Sequence, residues 1–298
     1  MATENKAIPE IHQMLFNIPD GLNMVQIGMG GTGCLLGSSI LKTMGAMDER
    51  VRARLFYTAV DFDKFEPKNL GRQLCIPQDM DKNKAQVIVQ RYSSVYNIPE
   101  TNASYVDKKI ESPEDVVKLL HPGYTNFIIE AVDKNTPRKH IHDAIKQFVD
   151  SHRYANVYLI SCGNGEWNGQ VGFGAFVKDR GNIIVSTPKR SIFDEPYIFS
   201  VPSPYVVCPE LLDLEEDAKE EAMSCAERAL LNAQSMVANN TSACIGLNYV
   251  NAAIAQFNNQ VVDKPNIPIT NAMVRFNAQK NAFTASEMTS EYLSKELI

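Results

Sequence analysis

A short apolar run, Met24 to Ile27, ends at Gly28-Met29-Gly30-Gly31-Thr32-Gly33, and apolar residues then recur at helical spacing from Thr32 to Ala46 through Leu35, Leu36, Ile40, Leu41 and Met44. Strand, glycine turn and helix in that order open an α/β unit, whose chain must cross over and return parallel. In such a turn Gly28 permits the tight bend, Gly30 and Gly31 let a phosphate approach the backbone, and Gly33 allows close helix packing. Free amides and the dipole at the helix start favour an anion there.

Leu55 to Val60 is the next apolar strand and delivers Asp61 to the carboxyl edge of the sheet, where an acid can accept hydrogen bonds from ribose hydroxyls. Alternation continues. Ser112-Pro113-Glu114-Asp115 opens a helix with a serine cap, Phe127 to Glu130 is a buried strand, and Thr136 to Ser151 is helical. Val157 to Ser161 is a further strand. Val171 to Val177 and Ile183 to Val185, joined through Asp179-Arg180-Gly181-Asn182, predict an antiparallel hairpin. The pattern describes an α/β protein with a Rossmann-like mixed sheet, parallel in its first half with an antiparallel extension, and helices on both faces. Residues 1–298 read as a single domain, with an N-terminal arm (1–20), a proline-rich loop (186–213) and a C-terminal hairpin and tail (265–298). Ala218 to Gln256 predicts one or two long helices, and Met273 to Ala285 a terminal hairpin.

A net charge of −6 argues against nucleic acid as the main partner, and no apolar stretch approaches a membrane span. The acidic run Glu215-Glu216-Asp217 with Glu220-Glu221 reads as a solvated helix face. Six cysteines, at positions 34, 75, 162, 208, 225 and 244, contain no Cys-x-x-Cys pair, so no structural zinc is expected. With no signal peptide read at the start, the thiols read as reduced and the protein as cytoplasmic. His140 and His142 lie two apart on a helix and point in different directions. Cys34 and Cys244 sit in apolar helical surroundings and read as core. Cys225 differs, because Ser224 can cap a helix beginning there and a thiol at a helix N-terminus has a lowered pKa. Cys162 is a second candidate thiol.

Asp61-x-Asp63, Asn69-Leu70-x-Arg72-Gln73 and Lys84-Ala85, behind Gly28-x-Gly30-Gly31-x-Gly33, closely resemble the ThiF/MoeB/ubiquitin-activating family. Ile128 to Asn135 with Arg138 is similar to that family's strand ending in a magnesium-holding aspartate, here Asp133. Ser224-Cys225-Ala226-Glu227, Gln234 and Asn239 or Asn240 look most like the bacterial PRTRC-type ThiF-like proteins. The resemblance implies adenylation, with ATP and Mg²⁺, of the C-terminal carboxylate of a ubiquitin-like or sulfur-carrier protein or peptide. It also implies a homodimer. Under it Arg72 and Lys84 contact phosphates, Asp133 binds Mg²⁺, Asp61 holds the ribose, and Asp63, Asn69 and Gln73 orient the site. Cys225 would carry a thioester or persulfide after adenylation.

A carboxylate is already ionised at neutral pH, so the chemistry asks for positioning and charge neutralisation rather than a general base. The chain departs from the family in two places. Relatives supply an arginine from a partner's N-terminal segment, whereas the first arginine here is Arg50, leaving Lys6 as the substitute or the contribution absent. Relatives also tend to carry glycine where Asp81-Lys82-Asn83 stands, which leaves Lys82 as a competing phosphate ligand. The alternatives are adenylation of a small molecule or a tRNA-linked carboxylate, and a non-catalytic nucleotide-binding adaptor. A nicotinamide dehydrogenase leaves Asn69, Arg72 and Gln73 without a task.

Overall fold

The computed structural model describes residues 10–187, 197–222, 235–262 and 268–298. β1 (Leu22–Ile27) runs into the glycine turn, and α1 (Gly31–Gly45) leaves it one residue earlier than the apolar spacing suggests. A short α2 (Glu49–Arg52), started by the Asp48 carboxylate on the Arg50 amide, leads into β2 (Leu55–Val60). Next come α3 (Lys84–Val95), β3 (Ala103–Val106), α4 (Pro113–Val117), β4 (Thr125–Glu130) and α5 (Asn135–Ser151). β5 (Ala155–Asn164), β6 (Asn168–Asp179) and the two-residue β7 (Asn182–Ile183) follow. The chain ends with α6 (Pro204–Val207), α7 (Leu214–Ala222), α8 (Met236–Val262), β8 (Asn271–Asn277), β9 (Ala282–Glu287) and α9 (Ser290–Leu293).

Among the described residues the sheet has nine strands, eight in the order β3-β2-β1-β4-β5-β6-β8-β9, with β7 also paired to β6. From β3 to β5 neighbours are parallel, and from β5 onward they are antiparallel. This is the mixed Rossmann-like sheet that the alternating pattern describes. The central strands are apolar on both faces, as a sheet covered on both sides requires. Val25, Ile128, Val157 and Leu159 pack with Ile141, Ile145 and Phe148 of α5. Met24, Phe127, Ile129, Tyr158 and Ile160 belong to the other layer, with Leu36 and Ile40 of α1, Ile88 of α3 and Ile254 of α8. Strand order reverses between β1 and β4, and in such sheets the carboxyl ends of the two strands open a crevice. No described helix is long and apolar enough to cross a membrane.

Several local expectations change. Ser112 stands before α4 but makes no capping bond, its side chain being engaged by Asp115, whose carboxylate accepts from the Glu111 amide instead. The described part of the 186–213 loop is partly helical, because Ser203-Pro204 and Cys208-Pro209 place proline at a first helical position where no amide is needed. Cys244 is exposed rather than core, since α8 turns the neighbouring Ala243 and Ile245 inward. The β6–β7 hairpin forms through Arg180 and Gly181, both at positive φ, but the longer partner of β6 is β5. The C-terminal hairpin is present as β8 and β9.

Candidate functional site

The glycine turn is fixed from below by a polar residue inside an apolar strand. Gln26, fully buried in β1, accepts from the Tyr57 hydroxyl at 2.8 Å and donates to the Gly33 carbonyl at 2.7 Å, tying β2 and the first turn of α1 to one side chain. Gly28 has φ +92°, and a Cβ there would lie 2.6 Å from the Ala131 carbonyl at the end of β4. A Cβ at Gly33 would lie 2.1 Å from the Gly28 carbonyl. Both positions therefore close the seam between strand and helix. The side-chain space of Gly30 is open, with nothing within 4 Å, while that of Gly31 is taken by the Asn239 side chain. Of the two glycines read as leaving room for a phosphate, Gly30 has the open space and Gly31 is packed from α8.

Asp61 braces the crevice. Its two carboxylate oxygens accept the Met29 amide at 2.5 Å and the Asp63 amide at 2.7 Å, joining the turn after β1 to the turn after β2. Burial pushes its carboxyl above the ordinary aspartate range, against the downward pull of those amides and of Lys84. The Lys84 ammonium is buried at the start of α3 and lies 3.0 Å from Asp63 Oδ2. Asn83 caps α3 by accepting from the Gln86 amide, and its own amide group donates to the Asp61 carbonyl at 2.7 Å. An asparagine directly before a helical pattern signals such a cap, so Asn83 is a site residue with a local sequence signal. Asp81, two residues earlier, takes a left-handed conformation with φ +64°, and Lys82 is exposed.

Asn69 is buried and shapes the next segment. Its side chain accepts from the Glu66 amide at 2.8 Å, and its carbonyl accepts from the Arg72 and Gln73 amides at 3.1 and 2.9 Å. The half-buried Arg72 guanidinium has no ion pair among the described residues, and Gln73 Oε1 is buried without a partner. Leu74 packs against the core layer that contains Cys34, whose thiol donates to the Met29 carbonyl at 2.9 Å. Cys34 is core, as the sequence suggests.

Asp133 sits across the strand-order reversal, exposed in the turn between β4 and α5. That turn is held from behind. Arg138 donates to Glu130 Oε1 at 2.7 Å, to the Ser161 hydroxyl at 3.2 Å and to the Val132 carbonyl at 2.7 Å, and Glu130 also accepts from the Tyr205 hydroxyl. From α7, Asp217 accepts the Asn135 amide at 2.9 Å, the Thr136 amide at 2.7 Å and the Thr136 hydroxyl at 2.5 Å. The acidic run thus contains a buried cap for α5, not only a solvated face. Burial alone would raise the Asp217 carboxyl, but those three donors hold it below the ordinary range.

Cys162 lies inside β5, where burial pushes its thiol up to about 12 and leaves no reactive thiolate. Cys225 lies outside the described residues. No group of three or more His, Cys, Asp or Glu that could hold a metal ion occurs among the described residues. A divalent ion at Asp133 would therefore share that one carboxylate with phosphate oxygens and water, the ligand set Mg²⁺ prefers. Open space at Gly30, the uncompensated Arg72 and the orphaned Gln73 oxygen fit a polyanionic ligand with further hydrogen-bonding groups.

A doubly wound sheet with a glycine turn, an acid at the second strand end and cations after it defines an α/β protein with a Rossmann-like, adenylyltransferase-like fold. The ThiF family model matches residues 22–293, and the chain belongs to the ThiF family. Among solved structures, E. coli MccB with ATP superposes with a TM-score of 0.56 at 14% identity, over 91% of this chain and 64% of that one. E. coli MccB with AMPCPP and MccA gives 0.58 at 16%, over 93% and 66%. PaaA gives 0.55 at 17%, over 89% and 73%. The chain thus spans about two thirds of the MccB length, and the likeness is one of fold. No curated protein sequence matches the chain.

Proposed function

We propose that the protein adenylates the C-terminal carboxylate of a small protein or peptide, at the crevice between β1 and β4. The observation that carries this reading is an Arg72 guanidinium with no ion pair among the described residues, on a segment whose carbonyl Asn239 holds against Gly31, together with a buried Lys84 that spends one donor on Asp63. Nucleotide-free, the site leaves Arg72 without an ion pair among the described residues and two Lys84 donors unspent, groups that an anion can take up. Family membership and the fold shared with MccB, which was solved with ATP, support a nucleotide as that anion.

When bound, ATP supplies the electrophilic α-phosphorus and Mg²⁺ supplies charge neutralisation. The chain supplies the rest. Arg72 offers a planar fork suited to phosphate oxygens, and Lys84 a compact ammonium with two donors to spare. Asp61 accepts from ribose hydroxyls with the lone pairs its backbone partners leave. Asp63, Asn69 and Gln73 keep the cations oriented, and Asp133 holds the ion. Two anions are thereby brought together in one place, and no side chain needs to remove a proton.

The Cys225 thiol, losing its proton, would then displace AMP from the acyl adenylate to form a thioester, or would take a sulfane sulfur from a donor persulfide whose thiol leaves. Homodimerisation and a cytoplasmic setting complete the reading, with a ubiquitin-like or sulfur-carrier protein as partner. MccB was crystallised with MccA, which supports a partner bound beside the nucleotide. The test is exchange of pyrophosphate into ATP, measured with Mg²⁺ and with purified neighbouring proteins ending in a free carboxylate. Carboxylate-dependent exchange supports the reading; ATP binding without exchange for any carboxylate leaves the adaptor. A reductant-sensitive adduct that disappears in Cys225→Ala supports transfer, and its survival in that variant assigns transfer elsewhere.

A further inference from the structure

Helix α8 begins on Ser235, whose hydroxyl accepts from the Ala238 amide at 3.0 Å and whose own amide donates to the Glu166 carbonyl at 3.2 Å. One turn in lies Asn239, fully buried. Its Oδ1 accepts from Asn164 Nδ2 at 2.8 Å and from the Thr32 hydroxyl at 3.3 Å, and its Nδ2 donates to the Arg72 carbonyl at 3.4 Å. A Cβ on Gly31 would stand 2.1 Å from that same nitrogen. One carboxamide therefore joins the glycine turn, the end of β5 and the segment bearing Arg72. A buried carboxamide is costly unless its groups are paired, and here both are.

We propose that Asn239 is the positioning residue that sets Arg72 over the glycine turn; this rests on the nucleotide reading above. The argument follows from what fixes Arg72. Its guanidinium has no ion pair among the described residues, so only its backbone is anchored. The Arg72 amide is held by the Asn69 carbonyl and its carbonyl by Asn239. Removing the second anchor frees the peptide on the side from which the side chain springs. The absence of a Cβ at Gly31 is what lets Asn239 reach both the turn and Arg72 at once. Thr32 and Asn164 orient the carboxamide so that its nitrogen faces the Arg72 carbonyl.

The test is a double-mutant cycle on ATP affinity in the full chain, by titration calorimetry, with Asn239→Ala, Arg72→Ala and the pair. Asn239→Ala should weaken binding about tenfold, and the double variant should bind no more than about twofold worse than Arg72→Ala alone, because a misplaced guanidinium and a missing one are equivalent. Asn239→Leu, which keeps the volume and loses the hydrogen bonds, gives the same cycle if the alanine variant is too unstable. Gly30→Ala serves as the contrast: its added methyl group meets neither Asn239 nor Arg72, and its effect should multiply with that of Arg72→Ala. If the effects of Asn239 and Arg72 multiply, Asn239 acts through general packing and the proposal falls while the nucleotide reading stands. If the wild-type chain binds no ATP, both fall.

Discussion

Arg138 and Glu130 form an ion pair with side-chain exposures of 5% and 0%, directly behind the turn that carries Asp133. Desolvating two charges is expensive, and it is offset here because Ser161, Tyr205 and the Val132 carbonyl satisfy the remaining donors and acceptors. Arg138→Met leaves the Glu130 carboxylate buried and unpaired and should cost about 3–5 kcal/mol in urea denaturation. Adding Glu130→Leu should recover part of that loss; a double variant as unstable as the sum of the singles would show that the pair is not coupled.

Asp133 itself should behave in the opposite way. Its side chain is exposed, so Asp133→Ala should change stability by no more than about 0.5 kcal/mol. The same substitution should lower Mg²⁺-dependent pyrophosphate exchange on the order of 10²-fold or more. Exchange that survives would remove Asp133 from the site.

Two glycines of one turn should separate structure from ligand binding. Gly33→Ala drives a methyl group into the Gly28 carbonyl and should cost about 1–3 kcal/mol by thermal unfolding. Gly30→Ala meets nothing in the nucleotide-free protein, so the melting temperature should hold while ATP affinity falls. Equal melting temperatures for the two variants would contradict the packing described for Gly33.

Asp217 ties stability to pH. Its carboxyl is depressed in the folded state, so the stabilisation is fully present above the ordinary aspartate value of about 3.9 and is lost as pH falls through the folded-state value. Asp217→Asn should destabilise the protein by about 1 kcal/mol at pH 7, the usual worth of a cap. The difference between variant and wild type should shrink in acid. A pH-independent difference would mean that the charge contributes nothing.

The parts legible from sequence were those written locally. Glycines between an apolar run and a helical period can hardly be anything but a strand-to-helix turn, and Asp61 lies at the end of its own strand. The braces were not legible, because each joins residues far apart in the chain. Asn239 reaches Arg72 across 167 positions and Tyr205 reaches Glu130 across 75. Asp217 sits in an acidic run whose composition is that of a solvated face, and only the approach of α7 to α5 distinguishes it from its neighbours. Gln26 was hidden for the converse reason, since one polar residue in an apolar strand does not disturb the pattern.

The grip of the Asp61 carboxylate on two backbone amides has a kinetic corollary. Met29 and Asp63 are held before any nucleotide arrives, so binding need not pay to order these two turns. Their amide hydrogens should exchange slowly with deuterated solvent even in the empty protein, marking a crevice that is rigid in advance of its cargo.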